Sequence, residues 1–141
     1  MGEIGFRAWD KDDKKMLHRD ASTILRLAEA YPKWIIPMQY TGLQDKDGKK
    51  IYVGDIIKEN PDGYDVYGFV FLNNGSFQVN YRSFGCYHLY DRLRYNTTVQ
   101  VVGDTFTTPE LLQPPQRAKM KGLSRQVETL VSPRGKHNIK L

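Results

Sequence analysis

The chain has 141 residues, 40% of them hydrophobic and 26% charged, a size and balance that fit one globular domain. Near-average glycine and proline exclude collagen-like and broadly disordered classes, and apolar runs of at most four residues exclude a transmembrane helix. A lone cysteine, Cys86, excludes an intramolecular disulfide and fits a reducing, cytosolic setting. Met1-Gly2-Glu3-Ile4-Gly5 holds no apolar signal core, so secretion is not expected.

The net charge of +5 is unevenly spread. Residues 1–113 carry 14 Lys/Arg against 15 Asp/Glu, a net of −1, whereas residues 114–141 carry seven Lys/Arg and only Glu128, a net of +6. The chain therefore divides into a balanced body and a basic C-terminal arm. Two readings of the arm stand: a segment that seeks phosphate backbones or an acidic protein surface, or a solubilising tail without a partner.

In chain order, residues 4–9 alternate as a strand, with Ile4, Phe6 and Ala8 on one face and Gly5, Arg7 and Trp9 on the other. Asp10-Lys11-Asp12-Asp13-Lys14-Lys15 is a polar turn, and Met16-Leu17-His18 returns as a short strand. Ser22 to Ala30 forms a helix capped by Asp20 or Ser22, with Ile24, Leu25, Leu27 and Ala28 facing the core. Pro32 and Pro37 bracket an irregular stretch, Lys33-Trp34-Ile35-Ile36. An extended segment starts at Met38. Asp45-Lys46-Asp47-Gly48 is a tight turn, and Ile51 to Glu59 is a strand kinked at Gly54-Asp55.

Asn60-Pro61-Asp62-Gly63 turns the chain into a strand from Tyr64 to Leu72. Asn73-Asn74-Gly75 is a hairpin signal, and Phe77, Val79 and Tyr81 alternate on the returning strand. Phe84 to Tyr95 is ambiguous, although Leu89 and Leu93, four apart, permit helical turns. Val99 to Val102 is a last strand, and Thr108-Pro109-Glu110 starts a helix. Strands at about ten-residue intervals with short turns predict a mainly β fold, a small antiparallel sheet or barrel with one or two short helices. Pro114-Pro115 closes the body. In the arm, Met120, Leu123, Val127 and Leu130 recur as one helical stripe. That stripe is either part of a disordered tail or a docking helix placed on the body, on a second copy or on another protein.

Few residues carry chemistry. His18, His88 and His137 are far apart, and the pair Cys86 and His88 cannot fill a tetrahedral metal shell. Asp45-Lys46-Asp47-Gly48 fails as a calcium loop, because Leu43 and Gly54 fall at its first and last ligand positions. Cys86 between aromatics reads as a small core residue. There is no nucleophile elbow and no glycine-rich phosphate loop. Asp12-Asp13 sit in a hydrated turn that leaves both ionised. No metal, no cofactor and no catalytic activity are expected.

Aromatics are the remaining signal. They make up 12% of the chain and crowd the stretch from Tyr64 to Tyr90. They pack across strands, or an exposed set beside Arg82, Tyr87, Arg92 and Arg94 stacks bases or anchors a protein interface.

Three segments together carry a resemblance. Ile4-Gly5-Phe6-Arg7-Ala8-Trp9-Asp10 resembles the opening of YopX-family proteins, small proteins of phages and prophages. The block from Pro37-Met38-Gln39-Tyr40-Thr41-Gly42-Leu43 through Gln44-Asp45-Lys46-Asp47-Gly48-Lys49-Lys50 to Ile51-Tyr52-Val53-Gly54-Asp55-Ile56-Ile57 looks like that family's most distinctive segment. Val101-Val102-Gly103-Asp104-Thr105-Phe106 followed by Pro109-Glu110-Leu111-Leu112 is similar to its closing motif. The resemblance implies a β-rich fold and a phage or prophage origin, and no reaction. Gly54-Asp55 before Ile56-Ile57 also resembles the start of a strand in SH3-like barrels, where Gly permits the bend and Asp holds nearby amides. Residues 113–141 lie beyond what the resemblance covers.

The expected protein is thus a YopX-like β domain over 1–113 with a basic tail over 114–141. The expected function is non-enzymatic binding of a host or phage macromolecule in the cytosol, inhibiting a host defence or replication protein. A protein partner would meet the tail through Arg117, Lys119, Lys121, Leu123, Arg125, Val127, Leu130, Arg134, Lys136 and Lys140. Two alternatives are nucleic-acid binding through the tail and exposed aromatics, and an oligomeric structural module. No membrane partner is expected.

Overall fold

The computed structural model describes residues 3–82, 84–95 and 98–112. They form two antiparallel sheets, the second a curled half-barrel, with two helices. The first sheet has the order β2-β1-β3-β4, from β1 (Phe6–Asp10), β2 (Lys15–Leu17), β3 (Ile35–Gln44) and β4 (Lys50–Tyr52). Helix α1 (Ala21–Ala30) packs on it. The second sheet has the order β8-β7-β6-β5-β9, from β5 (Asp55–Glu59), β6 (Val66–Asn73), β7 (Ser76–Asn80), β8 (Cys86–His88) and β9 (Gln100–Asp104). Helix α2 (Leu89–Tyr95) follows β8 directly, and a 3-10 turn, Pro109–Leu112, lies beside β6 and β9. No helix among the described residues is long and apolar enough to cross a membrane.

Each sheet has its own core. Ala8, Leu17, Ile24 and Ile35 pack between the first sheet and α1. Ile51, Ile57, Val70, Val79, Tyr81, Leu89, Val99 and Val101 fill the half-barrel, with Leu43 and Leu93 against them. Leu43 from β3 and Ile51 from β4 thus carry the first sheet's last hairpin into the second core. The turn acid Asp45 fixes that hairpin. Its carboxylate accepts from the amides of Asp47 at 2.8 Å and Lys49 at 2.9 Å, and from Val101 of β9 at 2.8 Å.

The chain changes sheet at Gly54. Its φ of +97° is left-handed, so glycine is required for conformation; an added Cβ would also stand 2.5 Å from Met38 Cε, a flexible side-chain end that would have to shift. Asp55 follows, buried, and accepts from the Tyr52 amide at 2.8 Å. Its other oxygen receives the Arg7 guanidinium from β1, so one buried ion pair bridges the two sheets. Arg7 also lies over the Tyr52 ring at 4.5 Å. Burial raises the Asp55 pKa, and the charge of Arg7 opposes that rise. A second bridge is the stack of Trp9 on Phe106, 5.5 Å between ring centres and 9° from parallel.

Most predicted turns form as read. Asn74 and Gly75, at φ 52° and 78°, make the two-residue turn between β6 and β7 that matches strand twist. Asp20 caps α1 by accepting from the Thr23 amide, and the hydroxyls of Thr23 and Ser22 hold its carboxyl down at about 2.

Four expectations are corrected. Strand β1 starts at Phe6, and Ile4 is exposed. Leu25 is exposed, because Ile24, Leu27 and Ala28 already form the i, i+3, i+4 stripe and Leu25 lies about 100° off it. The stretch read as irregular before Met38 is the first part of β3. Pro37 is tolerated there because its nitrogen faces the side shared with Gln39, whose carbonyl meets Val53, and β4 pairs with β3 only from Tyr40 onward. Cys86 is a free, exposed thiol and not a core residue, because β8 is a three-residue edge strand with every side chain exposed. The predicted tail, including its helical stripe, lies outside the described residues.

Candidate interaction surface

The ambiguous stretch after Tyr81 builds the surface. Arg82 adopts a left-handed φ of 55°, and its amide donates to the Asn80 side chain at 2.7 Å. The Tyr81 amide donates to the Gly85 carbonyl at 2.9 Å, and Gly85 at φ 98° turns the chain back along β7 as β8. Val79 then pairs with Tyr87, and Gln78 with His88. His88 Nδ1 lies 2.8 Å from Ser76 Oγ.

Helix α2 begins at once. Leu89 is fully buried and Leu93, four residues on, packs on the same core. That spacing turns the remaining positions outward. Phe84, Tyr87, Tyr90 and Tyr95 are 54%, 42%, 57% and 73% exposed, four large rings within a dozen residues. Arg94 lies between two of them, its guanidinium carbon 5.7 Å from the Tyr90 ring centre and 5.1 Å from that of Tyr95.

Beneath the rings is a buried anchor. Glu59, at the end of β5, is 1% exposed. Arg92 reaches in from α2 and donates through Nη2 to Oε1 at 2.6 Å and through Nε to Oε2 at 3.2 Å. The Tyr81 hydroxyl donates to the same carboxylate. Arg92 also packs against the rings of Tyr87 at 5.3 Å and Tyr81 at 5.8 Å. Burial, and then the Glu59 contact, push the Tyr81 pKa well above the usual phenol range, while the hydrogen bond to Glu59 raises that of Arg92. Tyr81 is therefore neutral and Arg92 charged at working pH. The ion pair fixes α2 on the sheet and so fixes the rings that α2 displays.

The structure brings Tyr87 and Arg92 together, 5.3 Å apart, while Arg82 lies in the turn before β8 and Arg94, about 200° round α2 from Arg92, meets Tyr90 and Tyr95 instead. Arg82 and Arg94 are exposed, and neither pairs with a carboxylate among the described residues. Arg92 is spent on Glu59 and acts by positioning. Arg117, Lys119, Lys121, Leu123, Arg125, Val127, Leu130, Arg134, Lys136 and Lys140 lie outside the described residues. Among the described residues, no three His, Cys, Asp or Glu side chains converge as a metal-binding set.

The named set Arg82, Tyr87, Arg92 and Arg94 left out Glu59 and Tyr95, and it left out Phe84 and Tyr90, which were read only as part of the aromatic stretch. A signal for Glu59 was its place two residues after Ile57, which puts both side chains on the same, core-facing side of the strand. Taking Leu89 and Leu93 as a helical stripe places Tyr90 and Tyr95 outside.

The family model described as YopX protein matches residues 26–113. The fold is similar to the crystal structure of protein EF1440 from Enterococcus faecalis, with a TM-score of 0.62 and 23% identity, covering 80% of this chain and 100% of that one. A crystal structure of protein yopX from Bacillus subtilis is also similar, with a TM-score of 0.49 and 21% identity over 80% of this chain and 98% of that one. No curated protein matches the sequence.

Proposed function

The chain belongs to the YopX family, and on that basis we propose that it is a binding protein of a phage or prophage. It docks a macromolecule of the host or the phage on the β8–α2 face and makes or breaks no bond itself. One observation carries this reading: four exposed rings, Phe84, Tyr87, Tyr90 and Tyr95, stand with exposed Arg82 and Arg94 beside and on a helix pinned by a buried ion pair. Tyrosine and arginine dominate binding hot spots, and a pinned display loses little entropy on docking. The basic segment 114–141 adds attraction to an acidic partner. The exposed free thiol of Cys86 is compatible with work in a reducing cytosol.

The test is affinity capture from a bacterial lysate with the full chain, its Tyr87→Ala/Tyr90→Ala/Tyr95→Ala variant and a Tyr64→Ala control. Tyr64 is comparably exposed but lies between β5 and β6. The proposal expects a stoichiometric partner that the triple variant loses and the control keeps. Equal recovery by all three proteins refutes it.

A further inference from the structure

We infer that the β8–α2 face is a stacking platform for single-stranded nucleic acid, an inference that rests on the docking role proposed for that face. Tyr90 and Tyr95 present largely open rings, and the Arg94 guanidinium lies against both. Arg82, exposed in the turn that leads into β8, has no carboxylate partner among the described residues, whereas the charge of Arg92 is matched by Glu59. Asp91 is the only acid in α2. A ligand that fits carries flat π faces and regularly spaced anions. An unpaired base stacks on a tyrosine, and its flanking phosphates meet the arginines. A duplex keeps its base faces stacked inside, so only an unpaired strand fits.

Charge separates this ligand from a protein. Tyrosine and arginine serve either partner, but the cations are concentrated where a polyanion would need them. Tyr64 makes the contrast: it is comparably exposed, yet Asp62 and Asp65 flank it. The balanced body is followed by 114–141 with its net of +6. That segment follows the 3-10 turn beside β9, at the opposite edge of the five-stranded sheet from β8. Its charge adds sequence-independent attraction for a polyanion.

The experiment measures binding of the full chain to labelled oligothymidylate, to an abasic oligomer of the same length and to a duplex, by fluorescence anisotropy across salt concentrations. Oligothymidylate should bind about tenfold or more tightly than the abasic strand, because stacking is the only difference. Tyr90→Ala/Tyr95→Ala should erase that preference, while Tyr90→Phe/Tyr95→Phe, which keeps the rings, and Tyr64→Ala should preserve it. Replacing Lys119, Lys121 and Arg125 by Gln should flatten the log–log salt dependence by about 0.7 for each phosphate no longer neutralised and leave the base preference intact. Equal affinity for the thymidylate and abasic strands, or an alanine pair that binds like the parent, overturns the inference. If the strand does not bind but the alanine pair abolishes recovery of a lysate protein, this inference falls and the docking role stands. If the alanine pair changes neither readout, both fall.

Discussion

Replacing Arg7 with Met keeps most of its buried stem and deletes the guanidinium. Three features go with it: the ion pair to Asp55, the contact 4.5 Å over Tyr52, and a buried Nε–H that has no hydrogen-bond partner among the described residues. Breaking a buried pair from one side costs about 3–5 kcal/mol. The orphaned Nε–H costs about 1–3 kcal/mol, and that penalty disappears with the substitution. The net loss is then about 2 kcal/mol at the midpoints of those ranges. Its pH dependence has a definite sign. Asp55 has a folded pKa raised by burial above its ordinary 3.8, so the folded state binds its proton more tightly than the unfolded chain. The stability this group contributes falls as pH rises from 3.8 through the raised value. Removing Arg7 removes the charge that opposed the rise, so that window extends upward, at about 1.4 kcal/mol per added pH unit. Urea unfolding of both proteins at about pH 5 and about pH 7 should show the larger loss at the higher pH. Adding Asp55→Leu to the variant should recover part of it, since an apolar pair is tolerated where half an ion pair is not. A loss under about 1 kcal/mol, or one that shrinks as pH rises, would show that the pair does not hold the sheets together in this way.

Tyr81→Phe removes one donor from the buried Glu59 carboxylate and should cost about 1–3 kcal/mol by chemical denaturation, with no change in secondary structure. Asp20→Ala should destabilise the protein near neutral pH and not in strong acid, since the contribution of a carboxyl held at about 2 is lost as pH falls through that value; thermal melts across pH measure the convergence. Cys86 should react with a water-soluble disulfide reagent in the native protein, and reaction only after unfolding would contradict its exposed placement.

What the sequence conveyed about the fold was local. Asn74-Gly75 needs only its own left-handed φ values to make a hairpin, and Asp20 caps α1 through hydroxyls two and three residues away. The misread parts depend on distant partners. Pro37 sits in a strand because β4 leaves that side open, and Cys86 is exposed because β8 is an edge. The site follows the same division. Arg82, Tyr87, Arg92 and Arg94 were legible as an aromatic–basic cluster. The division of labour among them was not, because Arg92 meets a glutamate 33 positions earlier in the chain. The bridge between the sheets spans 48 positions, from Arg7 to Asp55, and no periodicity reports it.

Whether the β8–α2 face is where the partner sits can be read by crosslinking. A photoreactive phenylalanine analogue is placed at Tyr90, and separately at Tyr64, and irradiated in bacterial cells. Adducts to a macromolecule that form from position 90 and not from position 64 are expected. Adducts equal at both positions, or absent at 90, would put the partner elsewhere.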